Sequence, residues 1–338
     1  MKRIFSLLAV CLVGLSAIAQ NAGITLSYNK GKELKFFRSN QLMEAIDAAE
    51  INDTLYFSAG SFDFYQLPQI NDDYYAREWS KPLVVIGAGA QDESGTSVSM
   101  PGTLFLKFDE TIPVSQRNVS FEGIYIPNWV SPACEVNNLS FINFRGDFYD
   151  RNNLIKNEYD EEDWVKPHTY INNVVFDRCL MDHINLEERN VNQIQVINSK
   201  VSEVSGQCSE KDGKTFTLDH SRIRELGGGF IGLVQNSAIH YDYSGEGSQI
   251  NASGMYSSSN SSVRDSKCVT LDDFYWIGDE MLTSNDGSVT LADGTMMGTL
   301  PSFSLYPSYP TLDLKESEID YDGINGKVAI TVKLLGGK

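Results

Sequence analysis

A six-residue pattern of apolar and polar positions recurs along the chain. It reads apolar, two variable residues, Ser or Cys, one variable residue, apolar, and most copies follow one another at intervals of about 16–35 residues. That interval is typical of solenoids, in which each repeat buries its apolar positions against its neighbours. The small residue between two apolar ones fits a tight corner between two strands. Clear copies occupy residues 176–181, 196–201, 218–223, 234–239, 263–268 and 314–319, and looser copies occupy residues 119–126 and 139–144.

The remaining pattern predicts one β-rich domain over residues 20–338. Gly, Asn, Ser and Asp are abundant and helical periodicity is rare, which favours strands joined by many turns. One helix is predicted over residues 39–50, with Ser39 or Asn40 as its N-cap. It precedes strands predicted at residues 54–57 and 83–86, where it could cap the open end of the apolar column. The apolar face of this helix consists of Leu42, Met43, Ile46 and Ala49.

The N-terminal part of the chain resembles a known family. Residues 42–49, 52–57 and 59–62 look like the N-terminal cap of pectate-lyase-like parallel β-helices, most of all the chondroitinase B and alginate lyase type. Residues 81–89 are similar to the strand and turn after that family's first loop, and the chain also resembles exported β-helix proteins of Bacteroidetes. The likeness covers about residues 33–270. It implies an all-β fold, a single-stranded right-handed parallel β-helix of the pectin-lyase type with an N-terminal cap helix.

Residues 1–19 have the features of an export signal. Lys2 and Arg3 precede an apolar run too short to span a bilayer, and Ala17 and Ala19 form a small-x-small cleavage site. We therefore expect an exported protein, periplasmic or extracellular, without membrane insertion. Export permits disulfides, but buried free thiols are the favoured alternative because the cysteine spacing matches no disulfide framework. The cysteines concerned are Cys134, Cys179, Cys208 and Cys268.

The charge balance restricts the partners. The chain has 27 basic and 45 acidic residues, a formal net charge of −18, and it becomes more acidic once Lys2 and Arg3 leave with the signal. Nucleic acid and anionic membranes demand positive potential, so neither is an expected partner. The charge also weighs against a long polyanionic substrate unless a bound cation or a local basic stripe bridges the repulsion. It favours a neutral glycan.

Four long insertions interrupt the repeat, and in a solenoid such insertions form loops on one rim. They are predicted at residues 65–80, 146–170, 241–260 and 272–309. Their aromatic residues suit sugar binding, because a flat ring offers its apolar face to a pyranose. The alternative is that these rings pack back to anchor the insertions. The tryptophans predicted to bind substrate are Trp79, Trp164 and Trp276.

Counting from the Ser or Cys position aligns charged residues on neighbouring strands. Parallel strands lie about 4.8 Å apart, so residues at the same offset stack into columns. Lys200, Arg222 and Arg224 are therefore expected close to three carboxylates of these columns and to His183. The first column after the Ser or Cys contains Leu180, Lys200, Arg222, Ala238 and Lys267. Two further columns contain Asp182, Ser202, Arg224 and His240, and His183, Glu203, Glu225 and Tyr241.

This charged cluster is the candidate catalytic site. β-Elimination in a uronate glycan needs a base to remove a proton beside the carboxylate, and a cation or metal to stabilise the charge that builds up. The family resemblance implies a Lys or Arg base with a Ca²⁺ ion held by carboxylates. The alternative is a solvated sheet face on which opposite charges pair across strands. The candidates are Lys200, Arg222 and Arg224 as base and charge stabiliser, His183 as a substrate contact, and Asp182, Glu203 and Glu225 as Ca²⁺ ligands.

Two function classes follow from these observations. One is a polysaccharide-active enzyme, a lyase that cleaves uronate-containing glycans and uses no cofactor besides Ca²⁺. The other is a non-catalytic β-helix that binds a glycan or a protein. A second candidate Ca²⁺ site is the acidic stretch at residues 158–163, whose alternative interpretation is a solvated acidic loop. We expect a monomer in either case.

Overall fold

The computed structural model describes residues 22–28, 33–70, 73–90, 95–150, 171–186, 191–206, 215–226, 231–242, 257–258, 261–264, 268–270, 288–290, 296–306, 311–312, 318–322, 327–331 and 334–335. Several predictions concern other residues. The predicted signal peptide, the acidic stretch at 158–163, Trp164, Trp276, Cys208 and Lys267 lie outside the described residues, as do the side chains of His240, Tyr241 and Cys268.

Strands make up most of the described chain. One α-helix, α1 (Leu42–Ala48), and two 3₁₀ turns, Phe64–Gln66 and Val114–Gln116, accompany them. In chain order the strands are β1 Gly23–Tyr28, β2 Glu33–Arg38, β3 Thr54–Phe57, β4 Gly60–Asp63, β5 Gln69–Ile70, β6 Asp73–Trp79, β7 Val84–Ile86, β8 Thr96–Ser99, β9 Thr103–Leu106, β10 Asn118–Glu122, β11 Tyr125–Pro132, β12 Val136–Ile142, β13 Arg145–Tyr149, β14 Ile171–Asp177, β15 Leu180–Leu186, β16 Val191–Ile197, β17 Lys200–Gly206, β18 Thr215–Asp219, β19 Arg222–Leu226, β20 Ile231–Gln235, β21 Ser237–Asp242, β22 Ser257–Ser258, β23 Ser261–Arg264, β24 Cys268–Thr270, β25 Ser288–Thr290, β26 Met296–Gly298, β27 Thr311–Leu312, β28 Glu318–Asp322, β29 Lys327–Thr331 and β30 Leu334–Leu335.

Two long, mainly parallel sheets contain most of these strands. Sheet A runs β2-β1-β3-β7-β10-β12-β14-β16-β18-β20-β23-β22, and sheet B runs β24-β21-β19-β17-β15-β13-β11-β9-β6-β5, with β4 and β8 attached at β11. From β10 to β21, successive strands alternate between sheet A and sheet B. Each turn of the chain therefore adds one strand to sheet A and one strand to sheet B. This topology confirms an all-β fold with long parallel sheets, and it is compatible with a parallel β-helix.

The repeat forms the corner between the sheets, as its small residue predicts. In the four copies whose corner the structure describes, the residue before the Ser or Cys has a left-handed backbone, with φ of 56° at Arg178 and 46° at Asn198. The chain therefore turns sharply, and the Ser or Cys side chain points into the core. These buried residues form a ladder, in which the Cys179 N–H donates to Ser199 Oγ (3.0 Å) and the Ser199 N–H to Ser221 Oγ (3.2 Å). Cys179 and Cys134 are both free thiols; Cys179 is fully buried, as the buried-thiol interpretation expects, whereas Cys134 is only partly buried.

Aromatic rings fill the core next to this ladder. Phe141 stacks on Phe121 and on Phe176 at ring-centroid distances of 5.9 and 5.1 Å. Trp79 packs at the end of this row of rings. Its indole meets Phe121 edge-on at 5.8 Å and stacks on Phe64 at 6.0 Å, and it is fully buried. The prediction that Trp79 offers a ring to a sugar is therefore corrected. It lies at the end of β6, an inner strand of sheet B, and not in a rim loop.

The N-terminal region differs from the prediction in two ways. Helix α1 is shorter than predicted and begins after Gln41, without a side-chain cap bond, so Ser39 and Asn40 are not its N-cap. The Lys81 ammonium holds its other end, since Nζ donates to the carbonyls of Ile46, Asp47 and Ala49 at 2.8–2.9 Å. The helix packs against β1 and β2, an antiparallel hairpin at the edge of sheet A that was not predicted.

Residues 298–306 form a strap, with a turn at Leu300–Phe303, that crosses the corner along the stacking direction of the strands. At one end the Gly298 N–H donates to the Asn236 carbonyl (2.7 Å), and near the other the Ala90 N–H donates to the Leu305 carbonyl (2.9 Å). Between them Asn198 holds the strap twice, because Oδ1 accepts from the Leu300 N–H (2.7 Å) and Nδ2 donates to Ser302 Oγ (3.2 Å). The strap thus ties together strands that are far apart in each sheet.

Two substitutions at Asn198 distinguish the loss of its hydrogen bonds to the strap from the cost of its left-handed backbone. Asn198→Gly removes both amide bonds and keeps an unstrained left-handed corner, so we expect it to lower the free energy of unfolding by about 1–3 kcal/mol. Asn198→Ala adds left-handed strain and should cost about 1 kcal/mol more. Urea unfolding measures both values. His220→Gly is the control, because His220 has the same corner conformation. A loss of stability in Asn198→Gly no larger than that in His220→Gly, which relieves the same backbone strain, would contradict a stabilising strap.

Candidate functional site

The strand register aligns the charged columns of sheet B as counted from the repeat. Lys200 is paired with Leu180 on one side and with Arg222 on the other, and Arg222 with Ala238. Two residues of the later column, Glu203 and Glu225, are also register partners. Residues at these positions face away from the core, so their surroundings depend on what covers the outer surface of sheet B.

The strap covers the first of these columns and corrects the expectation of an open cationic face. Lys200 and Arg222 are each only 2% exposed, and the Lys200 ammonium lies 4.7 Å from the centre of the Phe303 ring of the strap. Leu305 of the strap packs beside Leu180. A cation enclosed in this way has no access to a polysaccharide, so Lys200 and Arg222 are structural cations in this conformation.

A second outward line of residues is partly exposed, and we call it the axial row. Its members follow one another on successive strands from β11 to β19, with Trp129 paired to Asp147 and His183 paired to Glu203. Strand spacings of about 4.8 Å give the five residues a span of about 19 Å along the stacking direction. The axial row consists of Trp129, Asp147, His183, Glu203 and Glu225.

Asp147 shapes the middle of the axial row. Strand β15 has one residue more than β13 between their paired positions, which leaves a bulge at Asp182 and His183. Asp147 Oδ1 accepts both backbone N–H groups of this bulge, at 3.0 Å from Asp182 and 2.8 Å from His183. Burial raises the pKa of Asp147, while the hydrogen bond from His183 and the charge on its ring act in the opposite direction.

His183 lies between two carboxylates and beside an indole. Its Nδ1 is 3.7 Å from Asp147 Oδ2 and its Nε2 is 3.9 Å from Glu203 Oε2, both longer than a hydrogen bond. The imidazole ring lies 5.4 Å from Trp129, whose other neighbour is Tyr149 at 5.3 Å. This arrangement combines aromatic surfaces with hydrogen-bond acceptors on a partly exposed face.

The other predicted site residues lie around the axial row. Arg224 is partly exposed and forms an ion pair at 2.9 Å with Glu225, its neighbour on the same strand β19. Asp182 is exposed at the bulge. Within the described ranges, no group of three or more His, Cys, Asp or Glu side chains is arranged to hold a metal ion. Asp182, Glu203 and Glu225 form no such group in this part of the chain, and their role as Ca²⁺ ligands stays a prediction.

Two side chains of the site were missed from the sequence. Trp129 and Asp147 lie on β11 and β13, where the repeat is loose and the strands are irregular. Tyr149 belongs to the predicted insertion at residues 146–170, whose aromatic residues were expected to suit sugar binding, and it lies at the end of β13. From the first outward column to the axial row the chain advances four residues on β11, two on β13 and three on β15. A fixed number of residues counted from the first outward column therefore does not identify the members of the axial row on these three strands. The only signal was the position of Trp129 close to a predicted strand.

Comparison with known proteins assigns the chain to no family. The chain matches no protein-family model, no curated protein and no solved structure. In the part of the chain that the structure describes, no helix is long and apolar enough to cross a membrane.

The raised pKa of Asp147 makes a pH-dependent prediction. A carboxyl whose pKa is higher in the folded chain stabilises the fold below its unfolded-state pKa, and this stabilisation is lost as pH rises through the folded-state pKa. Asp147→Asn keeps an oxygen for the two N–H groups and does not ionise. We therefore expect the stability of this variant, relative to the unaltered chain, to increase as pH rises through that window.

Urea unfolding at a series of pH values between the ordinary Asp pKa and neutrality measures this difference. Ser205→Ala on the same face is the control, because it removes no titrating group and should give a pH profile parallel to that of the unaltered chain. A parallel profile for Asp147→Asn as well would contradict the raised pKa.

Proposed function

We propose that this protein is an exported, single-stranded, right-handed parallel β-helix of the pectate-lyase-like type that binds a polysaccharide along the axial row. The alternation of the chain between two long parallel sheets supports the β-helix, and residues 1–19 support export. The observation that carries the binding function is the open line of Trp129, His183 and the intervening Asp147 on one outward face.

The composition of the axial row suits a sugar chain. The partly exposed indole of Trp129, with Tyr149 beside it, offers an apolar surface for a pyranose ring. Asp147 and Glu203 offer carboxylate oxygens, which accept hydrogen bonds from sugar hydroxyls. Because a glycan is itself extended, a row of about 19 Å can contact several consecutive sugars. The carboxylates repel anions, so the chain over the row is neutral.

A lyase is the second candidate function. Its candidate base is His183 and not Lys200 or Arg222, because both of these cations are buried. A histidine between two carboxylates can act as a general base when neutral and remove the proton beside a uronate carboxylate, while the leaving oxygen departs from the adjacent carbon. Arg224 is the accessible cation of the originally predicted set. The described carboxylates form no Ca²⁺ site, so no step here uses that ion.

Trp129→Ala tests the binding function. We expect affinity for the recognised glycan to fall by about tenfold or more, because an aromatic surface buried against a ligand contributes on the order of 1–3 kcal/mol. Isothermal titration calorimetry with neutral oligosaccharides (glucan, xylan, mannan and galactan) and acidic ones (pectate, alginate, chondroitin and heparin types) measures it. Phe36→Ala, which removes an exposed ring on β2, is the matched control and should bind normally. Normal binding by Trp129→Ala would refute the axial row as the site.

The absorbance of unsaturated uronate in the acidic mixtures tests the lyase. An increase that disappears in His183→Gln but persists in Lys200→Gln would establish elimination at the axial row. A flat trace from folded protein that binds a glycan would exclude the lyase for these substrates and leave the binding function in place. Failure of the folded protein to bind any oligosaccharide of the panel would contradict the proposed function itself.

A further inference from the structure

The strap at residues 298–306 belongs to neither long sheet. Residues 299–306 form no strand, and five hydrogen bonds attach the strap to the rest of the described chain. Three of the five involve the side-chain amides of Asn143 and Asn198, and the other two join backbone groups. Strands β15 and β17, by contrast, are paired along almost their whole length. The strap is therefore held by fewer bonds per residue than the strands beneath it.

Burial anchors the strap along only part of its length. Leu305 and Thr299 are buried, whereas Pro301 and Ser302 are exposed. Leu305 packs beside Leu180 in a small cluster that is separate from the main core. Segments with few hydrogen bonds and little buried apolar surface open locally at a smaller free-energy cost than global unfolding. The strap has both of these features.

The closed strap hides a cation of the outward face. Ser199 and Val201, on either side of Lys200, are fully buried in the core, so the Lys200 side chain is directed outward. Its ammonium lies 4.7 Å from the centre of the Phe303 ring, and the residue is only 2% exposed. Its register partner Arg222 places a second positive charge on the next strand, about 4.8 Å away. Displacement of the strap would therefore remove a ring that covers Lys200.

We infer that the strap is a lid that opens locally and uncovers Lys200 for an anionic group, a carboxylate or a sulfate, on a polysaccharide. An ammonium donates up to three hydrogen bonds, and its bonds to an anion are stronger than those to a neutral group. In the open form the anionic group lies over Lys200, and neutral sugars lie over the axial row on the same face. The lid does not depend on the proposed function, whereas its ligand class rests on that function.

Labelling kinetics of the unaltered protein test the lid. An amine reagent gives the rate at Lys200 by mass spectrometry, and a thiol reagent gives the rate at Cys179, which is fully buried in the core. Opening of the strap exposes little surface, so we expect the rate at Lys200 to change little with urea below the unfolding transition. The rate at Cys179 should rise steeply, because its reaction requires exposure of the core. Lys107, whose side chain is 50% exposed, gives the rate of an accessible amine.

Asn198→Gly should increase the fraction of molecules with an open strap. It removes two of the five strap bonds, so we expect the labelling rate at Lys200 to rise about tenfold or more. The apparent affinity for a ligand of the open form is proportional to the open fraction. Affinity for acidic oligosaccharides should therefore rise by the same factor, and affinity for neutral ones should stay unchanged. Titration calorimetry with pectate, sulfated galactan and unsubstituted galactan oligosaccharides measures this and shows whether carboxylate or sulfate is recognised.

Further variants control this experiment. His220 has the same corner conformation as Asn198, but its described bonds are to Asp219 and Gln235 and not to the strap, so His220→Gly should change neither the labelling rate nor the affinity. Lys200→Gln in the Asn198→Gly background should abolish the gain in acidic affinity. If Asn198→Gly does not fold, Phe303→Ala removes the ring over Lys200 and should raise labelling and acidic affinity together. Circular dichroism checks the fold of each variant.

The outcomes separate the lid, its ligand and the proposed function. A rate at Lys200 that follows the urea dependence of Cys179 would overturn the lid, because the ammonium would then react only after the core opens. Faster labelling of Asn198→Gly without a matching gain in acidic affinity would overturn the anionic ligand and leave the lid in place. Absence of binding to any glycan would contradict the proposed function and the ligand, whereas the labelling result would stand.

Discussion

The left-handed corner between the two sheets is the constraint on which the rest of the structure depends. Asn143, Arg178, Asn198, His220 and Asn236 all have φ between 46° and 56°. Such a conformation costs a residue with a side chain about 1–2 kcal/mol. The buried ladder offsets that cost, because each Ser hydroxyl accepts a backbone N–H from the preceding turn and donates to a carbonyl of its own turn, as Ser221 does with Ser199 and Asp219. Repetition of the same exchange keeps both sheets in register.

The corner also explains why the cations nearest to it are not available for chemistry. A left-handed residue directs its side chain away from the core, so the amides of Asn143 and Asn198 are available to hold the strap. The strap then covers the first outward position of β15 and β17, where Leu305 packs beside Leu180 and Phe303 lies over the buried Lys200. The open surface begins only beyond that position. There the bulge supported by Asp147 turns two successive residues of β15 outward, and His183 becomes accessible between its carboxylate neighbours.

Local repetition made the sheets predictable, and long-range contacts made the site difficult to predict. The Ser or Cys corner, the pairing of Lys200 with Arg222 and the strand at Thr54–Phe57 follow from patterns within about twenty residues. The strap could not be inferred, because it joins residues more than 100 positions apart, as between Leu300 and Asn198. Trp79 was misjudged because a buried and an exposed tryptophan have the same local sequence signature. Trp129 and Asp147 were missed because bulges change the number of residues between columns.

The regular spacing of the strands has a consequence for any extended ligand of the outward face. The axial row presents the indole of Trp129 on β11 and carboxylates from β13 to β19, so its two ends differ in chemistry. The stacked strands hold these groups about 4.8 Å apart along the row. A ligand in contact with both ends would therefore be selected for its spacing and its orientation together.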